Sequence, residues 1–348
     1  MAKRWVKRPD GSNWGEYGEN DQLGRLNLIT PDCVRAAARE IVEGRTFCLS
    51  MPLDKPGGNL LSPSRYPPVI RPTVRNGRVR MNYRVADDIP GAPDLICDDA
   101  AVLHTQYSTH WDAFSHVGFM FDADDDGIPE PRYYNGFRGG EDIVGPADPG
   151  EAGSVGVFEA KTTSIVRALG IDGMAATCVQ GRGVMVDLHA QFGDRRVAVG
   201  YDMLMEVMRA DRVQVEPGDL VCLHTGYADF LLRNTGRLDA AAVHNACASL
   251  DGRDQKLLDW ITDSGLAVLI ADNFAVECYP AEHRTCCAAA PLHEHCLFKL
   301  GIHLGELWHL TPLARWLRAA GRNRFMLTAP PLRLPGATGS PATPVATV

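Results

Sequence analysis

From about residue 100 onward, the spacing of apolar residues switches between two periods. Gly183-Val-Met-Val-Asp187, Leu220-Val-Cys-Leu-His224, Leu266 to Ala271 and Phe325-Met-Leu-Thr328 are short apolar runs of the kind that form buried strands. Between them, Tyr201 to Arg209 and Gln255 to Thr262 place apolar residues at helical spacing. Leu310 to Ala320 reads as a further helix, with Thr311 suited to the N-cap and Pro312 to the first position. Glu216-Pro-Gly-Asp219 is a turn leading into the strand at Leu220. This alternation predicts an α/β fold with one mixed sheet system. Residues 1–100 follow no such rhythm. Pro and Gly cluster at 56–73 and 90–93, with a short helix near 31–42 and β-prone runs such as Val79 to Val85. We expect an N-terminal arm and loop-rich extension over 1–100, able to cover a site or a neighbouring subunit, before a main domain over 101–348. One continuous domain over 1–348 is the alternative. The tail after Pro335 is rich in Gly, Pro, Ser, Thr and Ala and reads as irregular.

Charge and composition narrow the function classes. The net charge is −8 and no run of Lys or Arg stands out, so nucleic acid is not an expected partner. No apolar stretch approaches the roughly 20 residues of a membrane span. The basic start, Met1 to Pro9, is not followed by the apolar core of a secretory signal, so a cytoplasmic location is expected. The 10 cysteines form no Cys-x-x-Cys and read as reduced, mostly buried thiols. The Cys286-Cys287 pair reads as a loop feature before a redox one. Cys222 stands two residues from His224 without an obvious third orienting group, so it makes a poor nucleophile candidate. No Gly-x-Gly-x-x-Gly follows a strand, and no Walker sequence or Gly-x-Ser-x-Gly elbow is present, so nucleotide cofactors and serine hydrolysis are not implied.

The chemistry concentrates in Gln106-Tyr-Ser-Thr-His110-Trp-Asp112-Ala-Phe-Ser-His116. The preceding Ala101-Val-Leu-His-Thr is β-prone, and on one extended strand His104, Gln106, Ser108, His110 and Asp112 would share a face. An imidazole and a carboxylate two residues apart on one face can grip a single cation, and divalent transition metals favour such nitrogen and oxygen sets. Asp122-Ala-Asp-Asp-Asp126-Gly127 looks briefly like a calcium loop, but its twelfth position is Tyr133 where Glu is needed, so it reads as an acidic turn.

This stretch resembles the signature of the cyclase family of metal-dependent hydrolases, which includes bacterial kynurenine formamidases and isatin hydrolases: His-x-Gly-Thr-His-x-Asp-x-Pro-x-His. Thr109, His110, Asp112 and His116 match; Gln106, Ser108 and Phe114 depart. Other segments agree in order along the chain. They are Trp14-Gly15 with Asp21 to Gly24 and Asn27 to Pro31, Asp219 to Val221 with His224 to Tyr227, Pro291-Leu292-His293 with Gly301-Ile302 and Gly305-Glu306, and the ending Ala329 to Arg333 with Gly339 to Pro341. The resemblance implies the swivelling β/α/β fold and a divalent metal, Mn2+ or Zn2+, held by His110, Asp112, Gln106 and His293. His104 is an alternative to Gln106, and His295 an alternative to His293. An amide oxygen at Gln106 suits a harder ion such as manganese better than zinc. His116 and Glu306 are the candidate catalytic residues, with His116 as general base or ligand of a second metal. His303 and His309 read as surface or structural residues.

Trp111, Phe114 and Tyr107, with Phe119 and Phe121, are the aromatic candidates for stacking on a flat substrate. His224, at the end of an apolar strand, is a further substrate-binding candidate. The expected reaction is hydrolysis of an amide or lactone: a cyclic amide, an N-formyl aryl amide or a lactone. The expected partner is a small molecule, a cyclic or aromatic substrate, and the resemblance implies a homodimer or homotetramer. The missing His at 106 motivates two alternatives on the same fold, a metal-free binding protein and a non-hydrolytic cyclase or dehydratase.

Overall fold

The apolar runs become the centre of a nine-stranded sheet in the computed structural model, which describes residues 3–153, 161–281 and 287–348. In chain order the strands are β1 (Thr46–Cys48), β2 (His110–Asp112), β3 (Gln180–Asp187), β4 (Leu220–His224), β5 (Val268–Ala271), β6 (His303–Glu306), β7 (Arg324–Thr328), β8 (Gly339–Pro341) and β9 (Val345–Thr347). Across the sheet they run β1-β9-β7-β3-β4-β5-β6-β2-β8. The middle four, β3 to β6, are parallel. The strands outside them are all antiparallel to their neighbours.

Every residue of β4 and β5 is buried, as their unbroken apolar runs require. Side chains alternate between two cores. Val221, Leu223 and Leu269 face the core closed by Leu204 and Val207 of α2 (Tyr201–Ala210) and by Leu257 and Ile261 of α3 (Gln255–Ser264). Leu220, Cys222 and Ile270 face the opposite core, closed by Leu313 and Leu317 of α4 (Thr311–Ala319). The short helix α1 (Pro31–Ala38) falls within the expected span, capped by Thr30, whose hydroxyl accepts the Cys33 N–H.

Part of the N-terminal region joins these cores through Trp5, Trp14, Leu26, Phe47 and Leu49. Trp14 is buried, its indole N–H donates to the Phe298 carbonyl at 2.7 Å, and its ring meets Phe298 and Trp5 edge-on. Gly24 and Gly301, both at positive φ, bring their backbones together so closely that a Cβ on either would overlap the other. Residues 69–102 form three two-stranded ribbons away from the main sheet.

Three local expectations are corrected. The stretch 101–112 is not one strand: Asp99–Val102 pairs with Val69–Pro72, the chain then loops, and β2 starts only at His110. The tail is not irregular, because β8 and β9 complete the sheet; Pro341 is tolerated because β8 is an edge strand. Thr311 is the first residue of α4 and not its cap, since its hydroxyl is engaged by the His224 ring at 3.0 Å. Among the described residues no helix is long and apolar enough to cross a membrane. Cys222, Cys247 and Cys296 are buried free thiols; Cys286 lies outside the described residues.

Candidate active site

Strand β2 lies between β6 and β8, and the register sets Glu306 directly opposite His110. Asp112, two residues along, projects from the same face as His110. One imidazole and two carboxylates therefore converge, with a ligand atom from each within 4.8 Å of the others. His110 Nε2 is 3.5 Å from Asp112 Oδ1 and 3.7 Å from Glu306 Oε2. All three side chains are buried. His110 Nδ1 lies 2.7 Å from the Ser108 carbonyl, which fixes its proton there and leaves the Nε2 lone pair aimed at the carboxylates. His110 Nε2 and both Asp112 carboxylate oxygens have no hydrogen-bond partner. A buried carboxylate left without partners is costly. The donor set, a nitrogen and carboxylate oxygens around a common point, fits a divalent cation.

Neighbouring groups hold this arrangement in place. The Thr109 hydroxyl donates to the Leu307 carbonyl at 2.6 Å and accepts the Met51 N–H at 2.9 Å, tying β2 to β6 and to the N-terminal region. His293 Nε2 is 3.3 Å from Glu306 Oε1, and its Nδ1 is 2.8 Å from Glu277 Oε1. Glu277 also accepts the backbone N–H groups of Leu292 and His293, the opening turn of a helical segment that continues as a π-helix over Glu294–Leu300. The residues before Glu277, Ala275 and Val276, both have positive φ. For a β-branched valine this is a strained conformation, and it turns the Glu277 carboxylate beneath His293.

Electrostatics follow the geometry. Burial works against charge on His293, but hydrogen bonds to Glu277 and Glu306 outweigh it and raise its pKa to about 10. Burial likewise opposes charge on His110, and the Asp112 and Glu306 carboxylates outweigh it, raising the pKa. Burial would raise Asp112, yet His116 and His110 hold it well below the usual carboxylate range. His116 goes the other way: burial dominates, its pKa falls, and the ring is neutral near pH 7. Its Nε2 is 3.7 Å from Asp112 Oδ1.

A cavity of about 430 Å³ opens onto this cluster. His116, His293 and Glu306 form its polar end. Leu61, Pro63, Phe119, Phe274 and Ala275 give it apolar walls, and Arg65 contributes a guanidinium.

The structure gathers some of the expected site residues and separates others. His110, Asp112, Glu306, His116 and His293 come together. Glu306 stands within the converging set itself, and His293 sits one step behind it. Gln106 is not among the converging atoms: the break in the strand removes it from the His110 face. Its amide oxygen accepts from the Thr105 hydroxyl at 2.7 Å, and its nitrogen lies 3.3 Å from the Thr338 hydroxyl and 3.4 Å from His116 Nδ1. His104 is held by Tyr66 backbone atoms in an exposed loop. His295 turns away to Thr262, 3.0 Å distant.

The aromatic candidates are also corrected. Trp111 is fully buried, packed on Trp308 with its N–H bonded to the Ala329 carbonyl. Phe114 is buried between Tyr134 and the His303 ring, stacked on the latter at 3.9 Å. Tyr107 is buried, and its hydroxyl accepts the Gly57 N–H. None of the three lines the cavity, where Phe119, Phe274 and Tyr279 stand instead. His224 belongs to a separate buried network with Asp187 at 2.7 Å and Thr311 at 3.0 Å. His303 is buried beneath the site, its Nδ1 bonded to the Asp112 carbonyl. The acidic turn caps itself: Asp122 accepts the N–H groups of Asp126 and Gly127.

Glu277 and Arg65 carry no signal in the sequence. Each is a lone charged residue in a loop, far from the site along the chain, and nothing in its neighbours foretells the approach.

Comparison with known proteins adds an independent line. The model of the family named Cyclase matches residues 48–278. A crystal structure described as a novel cyclase is 30% identical, covers 97% of both chains and superposes with a TM-score of 0.72. Isatin hydrolase A from Labrenzia aggregata, bound to benzyl benzoate, is 12% identical over 87% of this chain and 93% of its own, with a TM-score of 0.53. Isatin hydrolase A from Ralstonia solanacearum is 16% identical over 91% of this chain and 95% of its own, with a TM-score of 0.51. These two share the fold. No curated protein matches the chain.

Proposed function

Since the chain belongs to the Cyclase family, we propose that it is a divalent-metal hydrolase that opens an amide or lactone bond in a small molecule bound in the cavity beside His110, Asp112 and Glu306. One observation carries this reading: the buried, partnerless Nε2 of His110 and both oxygens of Asp112 aim at one point with Glu306 beside them. His110, Asp112 and Glu306 would hold the cation. When bound, it would acidify a water and polarise the substrate carbonyl. A harder ion such as Mn2+ suits the two carboxylates, and Zn2+ suits the imidazole.

The chain's own groups supply the rest. His116, neutral and on the cavity wall, takes the proton from the attacking water at Nε2 and returns it to the leaving nitrogen or oxygen. Asp112, 3.7 Å from that nitrogen, stabilises the imidazolium formed in between. Gln106 restrains the far side of the ring at Nδ1. His293, itself anchored by Glu277, orients Glu306. The apolar walls favour an uncharged aryl or alkyl body next to the scissile bond.

The test pairs elemental analysis with a hydrolysis screen over cyclic amides, N-formyl aryl amides and lactones. Purified protein should carry about one equivalent of Mn or Zn, and His110→Ala should lose both metal and activity. Hydrolysis that persists in metal-free His110→Ala would sink the proposal. A product lacking the elements of water would point to the dehydratase alternative.

A further inference from the structure

We propose that Arg65 selects substrates by charge, binding a carboxylate or equivalent anionic group on the molecule whose amide or lactone bond is opened. The inference rests on the cavity being the reaction site and adds the substrate class: an acid with an apolar body.

Arg65 lines the cavity together with His116, His293 and Glu306. It is half-buried, and one hydrogen bond holds it, from Nη1 to the Gln106 carbonyl at 3.0 Å. A guanidinium carries five N–H donors in a rigid fork. Among the described residues, no carboxylate pairs with Arg65. Three other sheltered arginines pair with carboxylates, Arg80 with Asp98, Arg132 with Glu130, and Arg182 with Asp219 and Glu216, and the buried Arg25 spends its donors on the Ile261 and Thr262 carbonyls. A partly desolvated cation without a partner is unfavourable, and here its free donors stand on the wall of a cavity large enough for a small organic molecule.

Charge balance points the same way. Asp112 and Glu306 together carry −2, which a divalent cation would cancel. Arg65 is then the uncompensated charge of the cavity, so an anion is favoured there and a cation is not. The remaining walls, Leu61, Phe119 and Phe274 among them, offer an apolar surface for the rest of the molecule. A bidentate arginine–carboxylate contact at this point would also fix the substrate's orientation toward His116.

The test uses calorimetric titration of the protein as purified with phenylacetate and its neutral isostere phenylacetamide. Wild type should bind the acid about tenfold more tightly or better, a preference that weakens with added salt. Arg65→Gln should bind both ligands alike while keeping the metal content of wild type, and Arg65→Lys should keep part of the preference. Equal affinities in wild type, or no binding of the acid, would overturn the assignment. So would a preference that survives in Arg65→Gln, because the carboxylate would then be taken by the metal. If Arg65→Gln does not fold, Arg65→Met makes the same comparison, and a preference for the acid that survives there overturns the assignment equally. Because these readouts need no turnover, failure of the hydrolase reading shows in the His110→Ala test and not here.

Discussion

Glu277 touches no cavity atom that reacts, yet it fixes His293 by side chain and by backbone at once. Removing its charge should loosen the orientation of Glu306. Glu277→Gln is therefore expected to fold and to lose metal affinity by about 10- to 100-fold, measured by competition with a chelating dye. Asp187 poses a different problem at the same scale. It accepts from Arg318 Nε at 2.8 Å and contacts His224 Nδ1 at 2.7 Å. Burial would raise its pKa, but these partners bring it down to about 2. A carboxyl with a pKa lower in the folded state stabilises the fold above its unfolded pKa, and this stabilisation is lost as pH falls toward the folded value. Asp187→Asn should thus cost on the order of 1–2 kcal/mol near neutral pH, allowing for partial screening. The gap from wild type should close between about pH 4 and pH 2 in urea titrations.

At the scale of elements, the three-residue strand β2 does the work that a longer strand was expected to do. His110 and Asp112 share a face because they are two residues apart, and that much is readable from spacing. Glu306 completes the set because β6 is registered against β2, and cross-strand register is not written in either segment alone. The inference that Gln106 and His104 share the face failed where the chain leaves the extended conformation after Val102, since period-two reasoning holds only inside one strand. The aromatic residues failed for a related reason: a residue type that suits a ligand also suits a core, and Trp111 and Phe114 went to the core. Strands β3, β4, β5 and β7 and the covering helices were legible because apolar periodicities repeat; β6, β8 and β9 were not, being only three or four residues long. One junction between elements can be tested directly. A methyl group at Gly24 would overlap the Gly301 carbonyl, at a residue already in the left-handed region. Gly24→Ala should destabilise the fold by about 2–4 kcal/mol, seen as a lowered denaturation midpoint.

For the molecule as a whole, the cation and the fold should be coupled. The converging groups come from residues 110 and 112 and from residue 306, far away along an unfolded chain, so the unfolded state offers no such complete site. Adding Mn2+ or Zn2+ in excess should raise the melting temperature and a chelator should lower it, with His110→Ala insensitive to both. Trp14 of the N-terminal arm is buried in the core against Phe298, and Trp14→Ala should cost about 3–5 kcal/mol in equilibrium unfolding.

The last two strands have a consequence in time. Strands β8 and β9 are separated by residues 342–344 only, yet they stand near opposite ends of the strand order, β8 beside β2 and β9 between β1 and β7. The curled sheet is laced shut by this short stretch, through Ala342 to the Thr109 carbonyl and Leu49 to the Pro344 carbonyl. A ribosome delivers these residues after every group of the metal cluster has already emerged. Until then β2 is a bare edge, and the nascent protein holds all its ligands without the strand that fixes them. Loss of residues 339–348 would thus leave His110, Asp112 and Glu306 in the chain and strip β2 of its outer neighbour.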